Sequence, residues 1–215
     1  GLSAFVGRER QLSALNDLLD EVREGRGQVV GVVGEPGMGK TRLVSEFRGG
    51  LVGERLTILE GRCLSYGAAI PWVPVADIVR ANCRITDADS PEEVARKVRN
   101  GLSEVGIEDE PAALAVLHML GMREATEALG HLSPEAMQAR TIYTLLQMSL
   151  NGSRLRPIIF VIEDLHWIDR VSEGYFTRLL DNLQGAPILL ACPYRPGYAA
   201  PWTQRPSATQ IALPR

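Results

Sequence analysis

One eight-residue stretch limits what this chain can fold into more than any other. Gly34-Glu35-Pro36-Gly37-Met38-Gly39-Lys40-Thr41 is turn-rich, with three glycines and a proline in its first six residues. It lies between two segments of different character. Before it, Val29-Val30-Gly31-Val32-Val33 is a short apolar run, read as a buried parallel strand. After it, Lys40 to Arg48 reads as a helix. The glycines let the backbone wrap so that successive N–H groups point inward. The helix that follows adds the positive end of its dipole. Strand, glycine turn and helix in this order make a cradle for an anion.

The rest of the chain fits the same layered plan. Leu12, Leu15, Leu18, Leu19 and Val22 recur at helical spacing, which predicts a helix from about Glu9 to Glu24, ended by Gly25 and Gly27. Further strands are expected at Leu56–Leu59, Ile158–Ile162, Pro187–Ala191 and, more weakly, Thr209–Leu213. Strands alternating with helices imply a parallel sheet covered on both faces. Between Pro74 and Arg156 the pattern changes to helices alone. One starts at Pro91 with Ser90 as its N-cap, one covers Ala112–Leu120, and one runs from Ser133-Pro134-Glu135 toward Leu150. Leu114, Val116, Leu117, Met119 and Leu120 read as core. This is a helical insertion between the second and third strands. Pro193 to Pro206 reads as a loop.

The chain's formal net charge of −3 gives no bulk attraction to nucleic acid or to an anionic membrane, so anion binding must come from a local site. No apolar run is long enough to span a bilayer. Cys63, Cys83 and Cys192 are odd in number and lack CxxC spacing, which suits reduced thiols in the cytoplasm. His118, His131 and His166 share no metal-ligand spacing. The opening Gly1-Leu2-Ser3-Ala4-Phe5 is not a signal peptide and does not begin with Met, so a piece of a longer protein is expected.

The glycine turn matches GxxxxGK(S/T) in full, with the strand and helix that this pattern requires. That is the phosphate-binding loop of nucleoside triphosphatases. Its nucleotide-binding residues are expected to be Gly34, Glu35, Pro36, Gly37, Met38, Gly39, Lys40, Thr41 and Arg42. Lys40 would reach the β- and γ-phosphates of ATP, and the Thr41 hydroxyl would ligate Mg²⁺, a hard cation that keeps several waters. The strand Ile158–Ile162 runs straight into Glu163-Asp164. Two carboxylates at the C-terminal end of a buried strand are costly unless they serve something, and in an open α/β sheet ligands bind at that end. One would hold the metal, and the other would orient or deprotonate the attacking water. Read alone, the pair could equally cap the next helix; the phosphate-binding loop favours the chemical reading. His166 and Trp167 either pack the loop beneath the site or sense the γ-phosphate, and structural support is favoured for both. Asp169 reads as a helix cap near Val171. Arg195, just past the fourth strand, is either an exposed loop arginine, which the sequence alone favours, or a γ-phosphate sensor.

Together these segments resemble a STAND-type module of the AAA+ ATPases. The likeness is carried by Phe5-Val6-Gly7-Arg8-Glu9, the phosphate-binding loop, Glu163-Asp164-Leu165-His166-Trp167 and Tyr194-Arg195-Pro196. It implies a three-layer α/β/α sandwich with a parallel five-stranded sheet of order 5-1-4-3-2. It implies that Val6, Gly7 and Arg8 lie against the adenine, and it tips Arg195 toward phosphate sensing. The family's motif order assigns Glu163 to the metal and Asp164 to the base, although Asp is more usual at the first place; both remain metal candidates with Thr41. Catalytic candidates are then Lys40, Glu163, Asp164 and Arg195. Residues 1–215 read as one nucleotide-binding domain lacking the family's C-terminal lid.

The resemblance also implies a setting: a cyclase-like or large LuxR-like bacterial signalling protein. Leu2-Ser3-Ala4-Phe5-Val6-Gly7-Arg8 and Gly61-Arg62-Cys63-Leu64-Ser65-Tyr66-Gly67 lean toward the cyclase-linked group. Three functions are open. The leading one is a Mg-dependent ATPase switch whose partners are ATP or ADP and other domains of its parent, with self-association also open and no direct nucleic acid or membrane contact. The second is a scaffold that holds nucleotide without hydrolysing it. The last is a small-molecule kinase, which would need an acceptor pocket and an arginine-bearing lid.

Overall fold

The computed structural model describes residues 7–66 and 70–214. Leu2–Val6 and Gly67, which carry part of the family resemblance, lie outside the described residues. The elements follow in the order α1 (Glu9–Arg23), β1 (Gln28–Val33), α2 (Lys40–Gly49), β2 (Thr57–Arg62), α3 (Val73–Asn82), α4 (Pro91–Ser103), α5 (Glu110–Met119), α6 (Arg123–Ala128), α7 (Pro134–Leu155), β3 (Ile158–Glu163), α8 (Arg170–Asp181), β4 (Ile188–Tyr194) and β5 (Ala208–Ala212). The strands form one parallel sheet in the order β2-β3-β4-β1-β5, which is 5-1-4-3-2 read from the other edge.

Strand periodicity divides the core in two. Successive strand residues point to opposite faces. Ile158, Phe160 and Ile162 of β3 join Ile188, Leu190 and Cys192 of β4 on one face, beneath α3–α8. Ile159 and Val161 join Leu189 and Ala191 on the other, beneath Leu15, Leu19 and Val22 of α1 and Leu43, Val44 and Phe47 of α2. All six residues of β3 and all seven of β4 are buried, so these strands read as continuous apolar runs. The result is the α/β/α sandwich with a helical insertion, α3–α7, between β2 and β3. Ser90 and Ser133 cap α4 and α7 as expected, accepting from Glu93 N at 3.3 Å and Ala136 N at 3.2 Å.

The structure corrects several boundaries. β2 continues past Leu59 to Arg62. Gly61 is needed there because the backbone of Pro74 crosses it: a Cβ at Gly61 would lie 2.2 Å from the Pro74 carbonyl oxygen. β4 continues past Ala191 into the expected loop, through Pro193 to Tyr194. Pro193 is tolerated because β3 and β4 pair only over Ile158–Val161 and Ile188–Ala191, so an N–H at 193 has no β3 partner to lose. Helix α3 was not legible in the sequence. Its start, Pro71-Trp72-Val73-Pro74, carries two prolines, and Trp72 takes the left-handed conformation at φ 73°.

Two glycines provide a contrast that checks this packing. Gly61→Ala must push the Pro74 backbone away and is expected to cost about 1–3 kcal/mol, lowering the Tm by roughly 3–10 °C. Gly174→Ala, inside α8 with nothing within 4 Å of the new methyl, should raise stability by about 0.5–1 kcal/mol. Thermal unfolding of the two variants beside the parent measures both.

Candidate functional site

The cradle is built where three strands end together. Beyond β1, Gly34 N donates to the carbonyl of Tyr194 on β4, at 3.4 Å. On the other side, Leu213 N donates to the carbonyl of Val33, at 2.8 Å. The loop therefore leaves the sheet held by β4 and by the segment after β5. Gly37 and Gly39 sit at φ 80° and 84°, in the region that side chains disfavour. Gly39 is the residue before α2 and accepts from Leu43 N at 2.8 Å, which turns the chain into the helix. The Lys40 ammonium lies back across the loop and donates to the carbonyls of Gly34 at 2.6 Å and Glu35 at 3.0 Å. Lys40 is thus held by neutral oxygens rather than by a carboxylate.

The acidic strand end meets this loop. Glu163, the last residue of β3, is buried, and the Thr41 hydroxyl donates to its Oε2 at 3.1 Å. Asp164 turns out of the strand in the left-handed conformation, φ 55° and ψ 41°, with its side chain partly exposed. Its nearest cation is Arg62 at the end of β2, with Nε 3.8 Å from Oδ2. A single 3₁₀ turn, Leu165–Trp167, follows. Asp169 then caps α8 as expected: its Oδ1 accepts from Val171 N at 3.1 Å and Ser172 N at 2.9 Å. The same oxygen accepts from Trp72 N at 3.2 Å, so the cap also anchors the start of the helical insertion.

Burial and charge set the ionisation of the site. Burial pushes the Glu163 carboxyl up, and the nearby carboxylates of Glu60 and Asp164 add to this; the Thr41 hydrogen bond and Arg62 oppose it without prevailing. Lys40 is shifted down, first by burial and then by the guanidinium of Arg195. His166 is also shifted down, by burial first and then by Arg195 and Lys40, against the pull of Asp164. Both ring nitrogens of His166 are buried and have no hydrogen-bond partner among the described residues. Its ring packs beside Trp167, with centroids 5.2 Å apart.

The expected site residues fall into three sets. Gly34–Thr41, Glu163 and Asp164 come together at the C-terminal strand ends, and Arg195, exposed one residue past β4, is close enough for its charge to act on both Lys40 and His166. Arg42 points along α2 and pairs with Glu46 at 3.2 Å, a turn away from the cradle. Arg8 donates to the Pro214 carbonyl at 2.9 Å, just past Leu213, which places the start of α1 beside the strand that precedes the loop. Gly7 lies next to it, and Val6 lies outside the described residues. Sequence reading missed Arg62. Its one signal was its place at a strand end, which emerges only once β2 is known to run that far.

Thr41 and Glu163 supply two hard oxygen donors within hydrogen-bond distance, a set that fits Mg²⁺. Two protein oxygens suffice for a cation that fills the rest of its shell with water and phosphate. No helix among the described residues is long and apolar enough to cross a membrane.

A family model described as the AAA ATPase domain matches residues 4–191 of this chain. An uncharacterized protein of Rhizobium meliloti is 27% identical over 213 residues, covering 97% of this chain. The chain spans 20% of that relative's length. Among solved structures, a signal transduction ATPase with numerous domains (STAND) from Pyrococcus horikoshii, with a tetratricopeptide repeat sensor, aligns over 99% of this chain and 23% of its own. Its TM-score is 0.43 and its identity 16%.

The raised Glu163 carboxyl gives a signed prediction. A carboxyl whose folded pKa exceeds its unfolded value takes up protons on folding, so the fold loses stability as pH rises through that interval. Glu163→Gln keeps an oxygen for Thr41 and removes the charge. It should raise the nucleotide-free Tm at pH 7 by about 2–4 °C. The gain should vanish below the ordinary carboxyl range, where Glu163 is protonated anyway. Thermal melts of parent and variant across pH check this.

Proposed function

This chain belongs to the AAA ATPase domain family, and on that premise we propose that it binds ATP with Mg²⁺ in the Gly34–Thr41 cradle, hydrolyses it, and acts as a nucleotide-dependent switch within a longer bacterial signalling protein. The observation that carries this reading is the Thr41–Glu163 hydrogen bond, which joins the phosphate-binding loop to the acidic strand end.

Each residue has a distinct task. The loop N–H groups and the start of α2 receive the phosphate chain. Lys40, held among the described residues by the Gly34 and Glu35 carbonyls, can turn its charge to the β- and γ-phosphate oxygens without breaking an ion pair there. Thr41 and Glu163 would hold Mg²⁺, with Asp164 in reach of its water shell; the ion neutralises charge on the phosphate oxygens. Asp164 is the base, because it is the more exposed acid and stands where a water can reach it. Arg195 supplies positive charge at the terminal phosphate from the end of β4. Gly7 and Arg8, the latter tied to Pro214, stand at the β1–β5 side and would face the adenine.

The longer setting rests on two supports. The Rhizobium meliloti relative is about five times as long as the segment it shares with this chain. The segments Leu2–Arg8 and Gly61–Gly67 look more like those of cyclase-linked signalling proteins than of LuxR-like ones. ATP turnover would bias how the module packs on its neighbours, giving two states.

Lys40→Ala should abolish nucleotide binding, measured by calorimetric titration with Mg-ATP; near-parental affinity would remove the cradle from the account. Asp164→Asn should keep ATP affinity within a few fold and lower multiple-turnover phosphate release by about 10²–10⁴. Undiminished release would take the base role from Asp164. Binding without phosphate release, in this chain and in the full-length parent alike, would replace the switch with a non-hydrolysing scaffold.

A further inference from the structure

Several buried polar atoms lack a partner among the described residues: both ring nitrogens of His166, Asp169 Oδ2, Ser172 Oγ and the Tyr198 hydroxyl. Asp169 is accounted for, since its other oxygen takes three N–H donors. Tyr198 packs edge-on against Tyr194, with ring centroids 5.5 Å apart. His166 differs from these in having two such atoms. Neither of its nitrogens is satisfied, and it stands in the turn directly after Asp164, where the charges of Arg195, Asp164 and Lys40 all act on it.

A role in packing alone does not account for this. An apolar side chain of similar shape would fill the same space without burying two unpaired nitrogens. A neutral imidazole carries one donor and one acceptor. The acceptor has cations nearby in Lys40 and Arg195. The donor needs an acceptor oxygen, and none among the described residues is within hydrogen-bond distance, Asp164 being the partner of Arg62. The remaining acceptor is the one the site is built around.

We propose that the His166 ring turns when nucleotide enters and donates an N–H to an oxygen of the terminal phosphate, so that the site distinguishes a nucleoside triphosphate from a diphosphate. This rests on the reading that Gly34–Thr41 binds nucleotide. His166 is the group on the β3 side of the phosphate, as Arg195 is on the β4 side. The 3₁₀ turn that carries it follows directly on Asp164, so contact with the phosphate also fixes the turn beside the base. The switch thereby has a defined reader of its nucleotide state.

The test is equilibrium binding of Mg-ADP and of the non-hydrolysable β,γ-imido analogue of ATP to parent and variants. His166→Phe keeps a ring in the same space. It should leave ADP affinity within about twofold, weaken the triphosphate analogue about tenfold, and leave the nucleotide-free Tm unchanged or higher. His166→Gln or His166→Asn, each restoring a side-chain N–H donor, should recover most of the triphosphate preference. An unchanged preference in His166→Phe overturns the proposal. Equal loss for both ligands with a lowered Tm also overturns it, in favour of packing. Should His166→Phe fail to fold, the same ratio in His166→Ala decides. A parent that binds neither nucleotide, like Lys40→Ala, overturns the site itself; a parent that binds both with a ratio His166 does not change overturns this inference alone.

Discussion

The hydrogen bond from Thr41 to Glu163 is the contact on which the site depends. The two residues are 122 positions apart in sequence and meet because β4 lies between β1 and β3. A carboxylate at the end of a fully buried strand must find a partner. Here the partner is a hydroxyl and not a cation, so the negative charge of Glu163 is only partly offset, by Arg62. That is unfavourable for the fold and favourable for a divalent ion. The sheet bears the cost because β3 and β4 are buried along their whole length and supply the surrounding stability.

Charge separation is the second constraint. Lys40 and Glu163 approach the same loop, yet they do not pair. The ammonium is held by the Gly34 and Glu35 carbonyls, and the carboxylate by Thr41. A direct ion pair would stabilise both, and phosphate or metal would then have to break it. Carbonyls and a hydroxyl hold each charged group in place while leaving its charge available. Asp164 is arranged differently again. It leaves the strand in a left-handed conformation, is more exposed, and faces Arg62 at a distance too long for a hydrogen bond. The two neighbouring acids thus have environments suited to different tasks.

The helical insertion is tied to the same place. Asp169 caps α8 and at once holds the backbone of Trp72, where the insertion begins. Trp72 and Asp164 are two of the three non-glycine residues with positive φ among the described residues. Both lie in this small region of the C-terminal strand ends. Local strain is concentrated where the strands end and the loops carry the chemistry.

Much of this was legible in the chain itself. Gly34–Thr41 between an apolar run and a helix determined the cradle, because only glycine reaches φ 80° and 84° at Gly37 and Gly39 without strain. Buried strands such as Ile158–Ile162 and the serine caps of α4 and α7 were legible for the same reason: their signals are local. What depended on distant neighbours was not. The extension of β2 through Gly61 is set by Pro74 crossing it, and the passage of β4 through Pro193 by where β3 stops pairing. Arg62 gained its place beside Asp164 only through that extension. His166, read from sequence as structural support, has its two nitrogens buried without a partner, and no local pattern records an unmet hydrogen bond. Sequence determined which groups this protein has to offer a nucleotide, since backbone freedom and residue chemistry are local. The tertiary structure decided which of them meet and which remain unpaired, since burial and pairing are properties of the packed sheet.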